Sequence, residues 1–122
     1  MSNSKDVPTP KKVQNLLSKL DISKLKIKNE RELELVVWGI LNGRWHDRMK
    51  YRKQFGGRVA DIALDNIPVE IKYINSMSDK DRCVGQILDY LTGAVHVIVV
   101  AIDPKKYLKP ISSMQNVTLV SL

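Results

Sequence analysis

Residues 59–73 read VADIALDNIPVEIKY. The stretch is rich in Ile, Leu and Val, yet Asp61, Glu70 and Lys72 interrupt it. A half-buried strand alternates apolar and polar residues, so some polar residues are expected. Asp65-Asn66 at the centre forms a two-residue hairpin turn, because both residues tolerate positive φ. Leu64 then opposes Ile67, and counting outward from that pair brings Asp61 opposite Glu70. Directly opposed side chains have Cβ atoms about 4.5–5.5 Å apart. Lys72 lies two residues beyond Glu70 on the same face, whereas Ile62, Leu64, Ile67, Val69 and Ile71 point to the other. A one-residue shift in the turn would reverse these faces.

The polar face therefore gathers two carboxylates and an ammonium. Adjacent carboxylates repel unless one is protonated or a cation lies between them. Oxygen donors with room for water suit Mg²⁺ or Mn²⁺. A lysine beside such an ion can orient or deprotonate a water, or stabilise charge developing on phosphate. That chemistry suits phosphodiester hydrolysis.

The flanking sequence supplies the rest of an α/β domain. Residues 1–9 read as disordered, and Thr9-Pro10 starts a helix that runs to about residue 20. A lysine-rich connector follows. Asn29 and Glu32 form a capping-box pattern, and the helix ERELELVVWGILNG ends near Gly43. RWHDRMKYRKQF (44–55) alternates with a period of two and reads as a strand. Arg44, His46, Arg48, Lys50, Arg52 and Gln54 form a basic face, and Trp45, Met49, Tyr51 and Phe55 an apolar one. Gly56-Gly57 breaks it. Ser78 caps a further helix with Asp81 three residues on, and Cys83, Val84, Ile87, Leu88 and Leu91 form its apolar stripe. VHVIVVAI suits a strand covered on both faces, and NVTLVSL is a last strand. The resulting order is α-α-β-β-β-α-β-β around a central mixed sheet.

The chain has 122 residues, the size of one domain, and a formal net charge of +7. A basic surface points to an anionic partner such as nucleic acid. Cys83, the single cysteine, excludes an internal disulfide and a cysteine-only metal site, and fits packing better than nucleophilic chemistry. No apolar run is long enough to span a membrane, and MSNSKDVPTPKK lacks the apolar centre of a secretory signal, so a cytoplasmic protein is expected. There is no Gly-rich phosphate loop, zinc spacing or nucleophile elbow. His46 and His96 do not form a metal pair by spacing, and His96 reads as a hydrogen-bonded core histidine.

The spacing Asp61-x8-Glu70-x-Lys72 resembles the signature of the PD-(D/E)xK nuclease superfamily, with Ala60 where the family's name has Pro. The resemblance runs from about Glu30 to Ala101 and implies a restriction-endonuclease-like α/β core, α-β-β-β-α-β. A central mixed sheet flanked by helices would occupy residues 30–122. Residues 1–29 would add a disordered start, a short helix and the basic connector. The resemblance implies Mg²⁺ or Mn²⁺ held by Asp61, Glu70 and the backbone carbonyl of Ile71. Lys72 would position water and stabilise the transition state. The family often adds a carboxylate from its first helix. Glu34 and Glu30 both lie near that helix's inward face, and Glu34-x-x-Val37-Trp38-x-Ile40-Leu41 matches the family motif more closely. Gln86-x-x-x-Tyr90 resembles the Q-x-x-x-Y motif of the exonuclease-like branch, with Gln86 steadying the site and Tyr90 assisting. Arg44, Arg48, Lys50, Arg52 and Arg58 would contact DNA phosphates, together with Tyr90 on the substrate side. Trp45 and Tyr51 read as core rather than base-stacking platforms.

The resemblance implies DNA as substrate, endonuclease action with structure selectivity as an option, and no membrane partner. A homodimer or a place in a larger DNA-processing complex is compatible with so small a chain. The alternative keeps the fold as a catalytically silent nucleic-acid-binding module. A third reading makes the hairpin charges a surface ion-pair ladder.

Overall fold

The computed structural model describes residues 6–122. A five-stranded sheet in the order β1-β2-β3-β4-β5 forms the middle layer. Its strands are β1 (Met49–Phe55), β2 (Arg58–Leu64), β3 (Ile67–Tyr73), β4 (Val97–Ile102) and β5 (Val117–Ser121). The first three are antiparallel, whereas β3, β4 and β5 run parallel. Helices α1 (Pro10–Leu17), α2 (Ile22–Leu25) and α3 (Glu30–Trp45) precede the sheet, and α4 (Met77–Leu91) crosses from β3 to β4. The expected α/β class, mixed sheet and N-terminal helix are all present.

Two apolar layers hold the sheet between helices. On one side Val13 and Leu17 of α1 and Leu33, Val37, Leu41 and Trp45 of α3 meet Ile62, Leu64, Val69, Ile71 and Ile98. On the other, Cys83, Ile87 and Tyr90 of α4 meet Ala60, Ala63, Val97 and Val99. All six residues of β4 are buried, as its β-branched run requires of a strand covered twice. Each such Val or Ile contributes about 1.5–3 kcal/mol when removed from water.

The hairpin forms where the sequence places it. Leu64 pairs with Ile67, Ala63 with Pro68 and Ile62 with Val69, and Asp65 adopts a left-handed φ of 53°. The ladder stops there, so Asp61 and Glu70 do not form the directly opposed pair that the count implied. Between β1 and β2, Tyr51 pairs with Ile62 and Lys53 with Ala60, but Arg52 and Asp61 between them do not pair. Arg52 has a φ of 53°, a left-handed conformation uncommon for a long side chain. Across this irregularity the strand faces exchange. Ala60 packs toward α4, and Ile62 toward α3.

Four further expectations are corrected. Residues 44–48 are not strand: α3 continues to Trp45 and a 3₁₀ turn spans His46–Arg48. Burial of Trp45, one turn beyond Leu41, outweighs the period-two alternation. The cap of α4 is Ser76, whose hydroxyl accepts from the Asp79 N–H at 3.1 Å, rather than Ser78. Part of the connector is the short helix α2, capped by Asp21. Of the residues expected to be disordered, 1–5 lie outside the described residues, whereas 6–9 are held. Thr9 caps α1, and Asp6 pairs with Lys12 and twice with Arg44. The hydrogen bond from Arg44 holds the Asp6 carboxyl below its ordinary range.

The β1–β2 turn lies against the end of α4. A Cβ on Gly93 would fall 2.0 Å from the Gly56 backbone nitrogen, and Gly56 has a φ of 57°. Gly93→Ala therefore forces backbone apart. The expected loss is about 1–3 kcal/mol in urea unfolding, and an unchanged midpoint would mean that this contact is dispensable.

Candidate functional site

Where β2 and β3 part, a cavity of about 210 Å³ opens beside the start of α3, reached by side chains from both faces of the sheet. Glu30, Glu34, Arg58, Asp61, Glu70, Ile71 and Lys72 line it. It thus brings together both hairpin carboxylates, the lysine, both α3 carboxylates under consideration, the residue expected to offer its carbonyl, and one of the expected phosphate-contacting arginines.

Alternation along β3 sends Val69 and Ile71 into the α3 layer and turns Glu70 and Lys72 the opposite way. Glu70 is 9% exposed. Burying a carboxylate is costly unless it is paired and hydrogen-bonded, and Glu70 is both. Lys72 Nζ lies 3.1 Å from Glu70 Oε1, and Arg58 Nη2 lies 3.7 Å from the same oxygen. The Tyr90 hydroxyl donates to Glu70 Oε2 at 2.7 Å. Burial, then the Glu70 charge, raises the Tyr90 phenol above its ordinary range. The Arg58 guanidinium also stacks over the Tyr90 ring at 5.3 Å, and its buried Nε–H has no partner among the described residues.

The two α3 glutamates play different parts. Glu30 Oε1 accepts from the Tyr73 backbone N–H at 3.3 Å, which ties the start of α3 to the end of β3. Glu34, one turn on, is half-buried. Its carboxyl is raised above the ordinary value of 4.5, first by burial, then by the charge of Asp61, with Glu30 and Glu70 adding to it against Arg31. The charges of Asp61, Glu30 and Glu70 thus all bear on Glu34 in one small space.

Oxygen donors in mutual repulsion, with a lysine beside them, are chemically suited to a hard divalent cation. Among the described residues no three His, Cys, Asp or Glu side chains converge as a closed metal-binding group. Glu70 is instead turned to Lys72, Arg58 and Tyr90.

The other expected site residues fall in three places. Gln86 lies one turn before Tyr90 on α4 and does not line the cavity. Its side-chain oxygen is buried without a partner among the described residues. Tyr90 is buried behind Glu70, so it positions that carboxylate rather than meeting a ligand at the surface. The basic strand face is broken up. Arg44 sits in the last turn of α3 and Arg48 pairs with Asp65 at 2.8 Å, while Lys50 and Arg52 are exposed on β1. His96 is half-buried, in hydrogen-bond contact with the Thr118 hydroxyl at 2.7 Å, and burial lowers its pKa. Burial raises the Cys83 thiol to about 11, which fits a packed rather than a nucleophilic cysteine.

Sequence reasoning missed Tyr51, which was assigned to the core. Tyr51 is 50% exposed and its hydroxyl accepts from Trp38 Nε1–H at 2.8 Å. Tyr51 does share the α3 face with its partner Ile62, as alternation implies, but nothing in the local sequence signals that half of it stays in solvent.

No protein-family model, curated protein or solved structure matches the chain. No helix among the described residues is long and apolar enough to cross a membrane.

Two outcomes follow. Tyr90→Phe leaves a buried Glu70 oxygen without its donor and should cost about 1–3 kcal/mol in urea unfolding. A value near zero would mean that Glu70 is held by its cations alone. A raised Glu34 pKa means that the folded state loses stability as pH rises from 4.5 through the folded pKa. In chelator at neutral pH, Glu34→Gln should therefore melt higher than the wild type. The gap should close below pH 4.5. A wild type that melts higher at neutral pH would show that the carboxylate is stabilised where it stands.

Proposed function

We propose that the chain is a small divalent-metal-dependent nuclease of the PD-(D/E)xK type, cutting DNA phosphodiester bonds. One observation carries this reading: a single cavity unites Asp61, Glu70 and Lys72 with Glu34 from α3 and Arg58 from β2. The order α3-β1-β2-β3-α4-β4 supports it, since it follows the α-β-β-β-α-β core of that superfamily.

Asp61, Glu70 and Glu34 would hold Mg²⁺ or Mn²⁺, with the Ile71 carbonyl as a further donor. When bound, the ion supplies Lewis acidity to the phosphate and lowers the pKa of an attacking water. Lys72 holds Glu70 in place and carries an ammonium toward the same space, where it stabilises charge on the phosphate or steadies the water. Arg58, which lines the cavity beside Glu70, would offer its guanidinium to a phosphate oxygen, a charge-assisted contact. Tyr90 fixes the Glu70 rotamer. Lys50 and Arg52, exposed on β1, would meet backbone phosphates outside the cavity, and the +7 net charge would draw the polyanion in.

The engagement of Glu70 by Lys72, Arg58 and Tyr90 favours a second reading, a nucleic-acid-binding module of the same fold whose site is silent. Cleavage of labelled linear, nicked, single-stranded and branched DNAs with Mg²⁺ or Mn²⁺ separates the two. For a nuclease, Glu70→Ala and Lys72→Ala should each slow cleavage by about 10²–10³-fold. A wild type that binds every DNA in a salt-sensitive way and cuts none would establish the silent module.

A further inference from the structure

A second hollow of about 270 Å³ adjoins the carboxylate cavity and shares Glu34, Asp61 and Ile62 with it. Its other walls are Leu35 and Trp38 of α3 and Tyr51 of β1, with Arg31 beside them. These apolar side chains are exposed: Leu35 is 56% accessible, Trp38 41% and Tyr51 50%. The Trp38 N–H is satisfied by the Tyr51 hydroxyl, so the two aromatic side chains are locked together across two elements. Large aromatic groups left in water beside a charged cavity are unusual in a folded monomer and mark a binding surface.

The geometry points to a nucleobase platform: Trp38 and Tyr51 receive an unpaired base next to the phosphate that Lys72, with a divalent ion on Glu34 and Asp61, would hold. The identity of that phosphate rests on the nuclease reading above. The occupant follows from three features. The hollow is continuous with the site through two of its carboxylates, so its ligand extends from the reacting group. Its ligand carries negative charge outside the carboxylates, since Arg31 stands at the hollow. Its exposed apolar walls, Leu35, Trp38 and Tyr51, suit stacking on the face of a base. Every base has a stackable face, so such a platform does not depend on sequence. In a duplex those faces are covered by neighbouring pairs. The substrate is therefore DNA with at least one unpaired nucleotide at the cleavage point, as in a single strand, flap or branch.

Binding in chelator tests this apart from catalysis. Wild-type protein is titrated with a labelled single-stranded oligonucleotide and with a closed hairpin duplex of equal length, reading both anisotropy and tryptophan fluorescence. The single strand should quench Trp38, and the duplex should not. Trp38→Ala and Tyr51→Ala should each weaken single-strand binding about tenfold while changing duplex binding less than about twofold. Trp38→Phe, which retains a ring, should recover most of the loss and guards against misfolding of the alanine variant. Equal weakening for both DNAs, absence of quenching, or a dimer that buries Trp38 would each overturn the platform. Quenching by the single strand without cleavage under any metal would uphold the platform and remove the nuclease reading. Metal-dependent cleavage that is indifferent to Trp38 and Tyr51 would do the reverse.

Discussion

The site depends on one buried carboxylate. Glu70 lies in β3, near the middle of the sheet, where an unpaired charge would cost several kcal/mol. Its companions come from three elements: Lys72 by alternation along β3, Arg58 from the start of β2 and Tyr90 from the last turn of α4. Each requires its element to be correctly seated. Tyr90 reaches Glu70 only while α4 lies close to the sheet, and the end of α4 meets the β1–β2 turn through backbone contact at Gly93 and Gly56. The charge at position 70 thus couples the register of β3, the origin of β2 and the docking of α4. Removing one companion leaves a buried charge incompletely met, so the cost is carried by the whole arrangement.

The surrounding electrostatics pull the opposite way. A chain with seven excess positive charges sets four carboxylates around one small cavity. Glu34 bears the strain, half-buried and facing the charges of Asp61, Glu30 and Glu70. Functional sites commonly sacrifice stability in this way, and perturbed titration inside a cleft is a recognised mark of them. On the proposed nuclease reading, the basic surface would favour the approach of a polyanion at long range, and the acidic cavity, once it held metal, would receive its phosphate at short range.

Much of this was legible in the residues because short-range rules governed it. The Asp65-Asn66 turn and the alternation on both sides fix the hairpin, and with it the companionship of Glu70 and Lys72. The continuous β-branched run of 97–102 could only be a doubly covered strand. The junction of α3 and β1 was hidden because two periods overlap there. Charges at every second position suggest a strand, whereas Leu33, Val37, Leu41 and Trp45 continue a buried helical stripe at four-residue spacing. The α4 cap was ambiguous because Ser76 and Ser78 both have Asp three residues later. Tertiary packing, absent from local pattern, decided each case.

The left-handed Arg52 was the least legible feature and has the widest consequences. It stands across from Asp61 at the one unpaired position of an otherwise regular ladder. There both strands exchange faces: Met49 packs with α3 and Phe55 with α4, although six residues of regular strand would put them on one side. The exchange frees Asp61 from the ladder so that it can turn into the cavity beside Glu34. Tyr51, which strand periodicity assigns to the core, precedes the exchange: it shares the α3 face with its partner Ile62 and meets Trp38 there, half-exposed. The carboxylate cavity and the aromatic hollow share Asp61 and Ile62, so they meet beside this irregularity. A ladder kept regular through positions 52 and 61 would pair Asp61 with Arg52 instead of leaving it free to line the cavity.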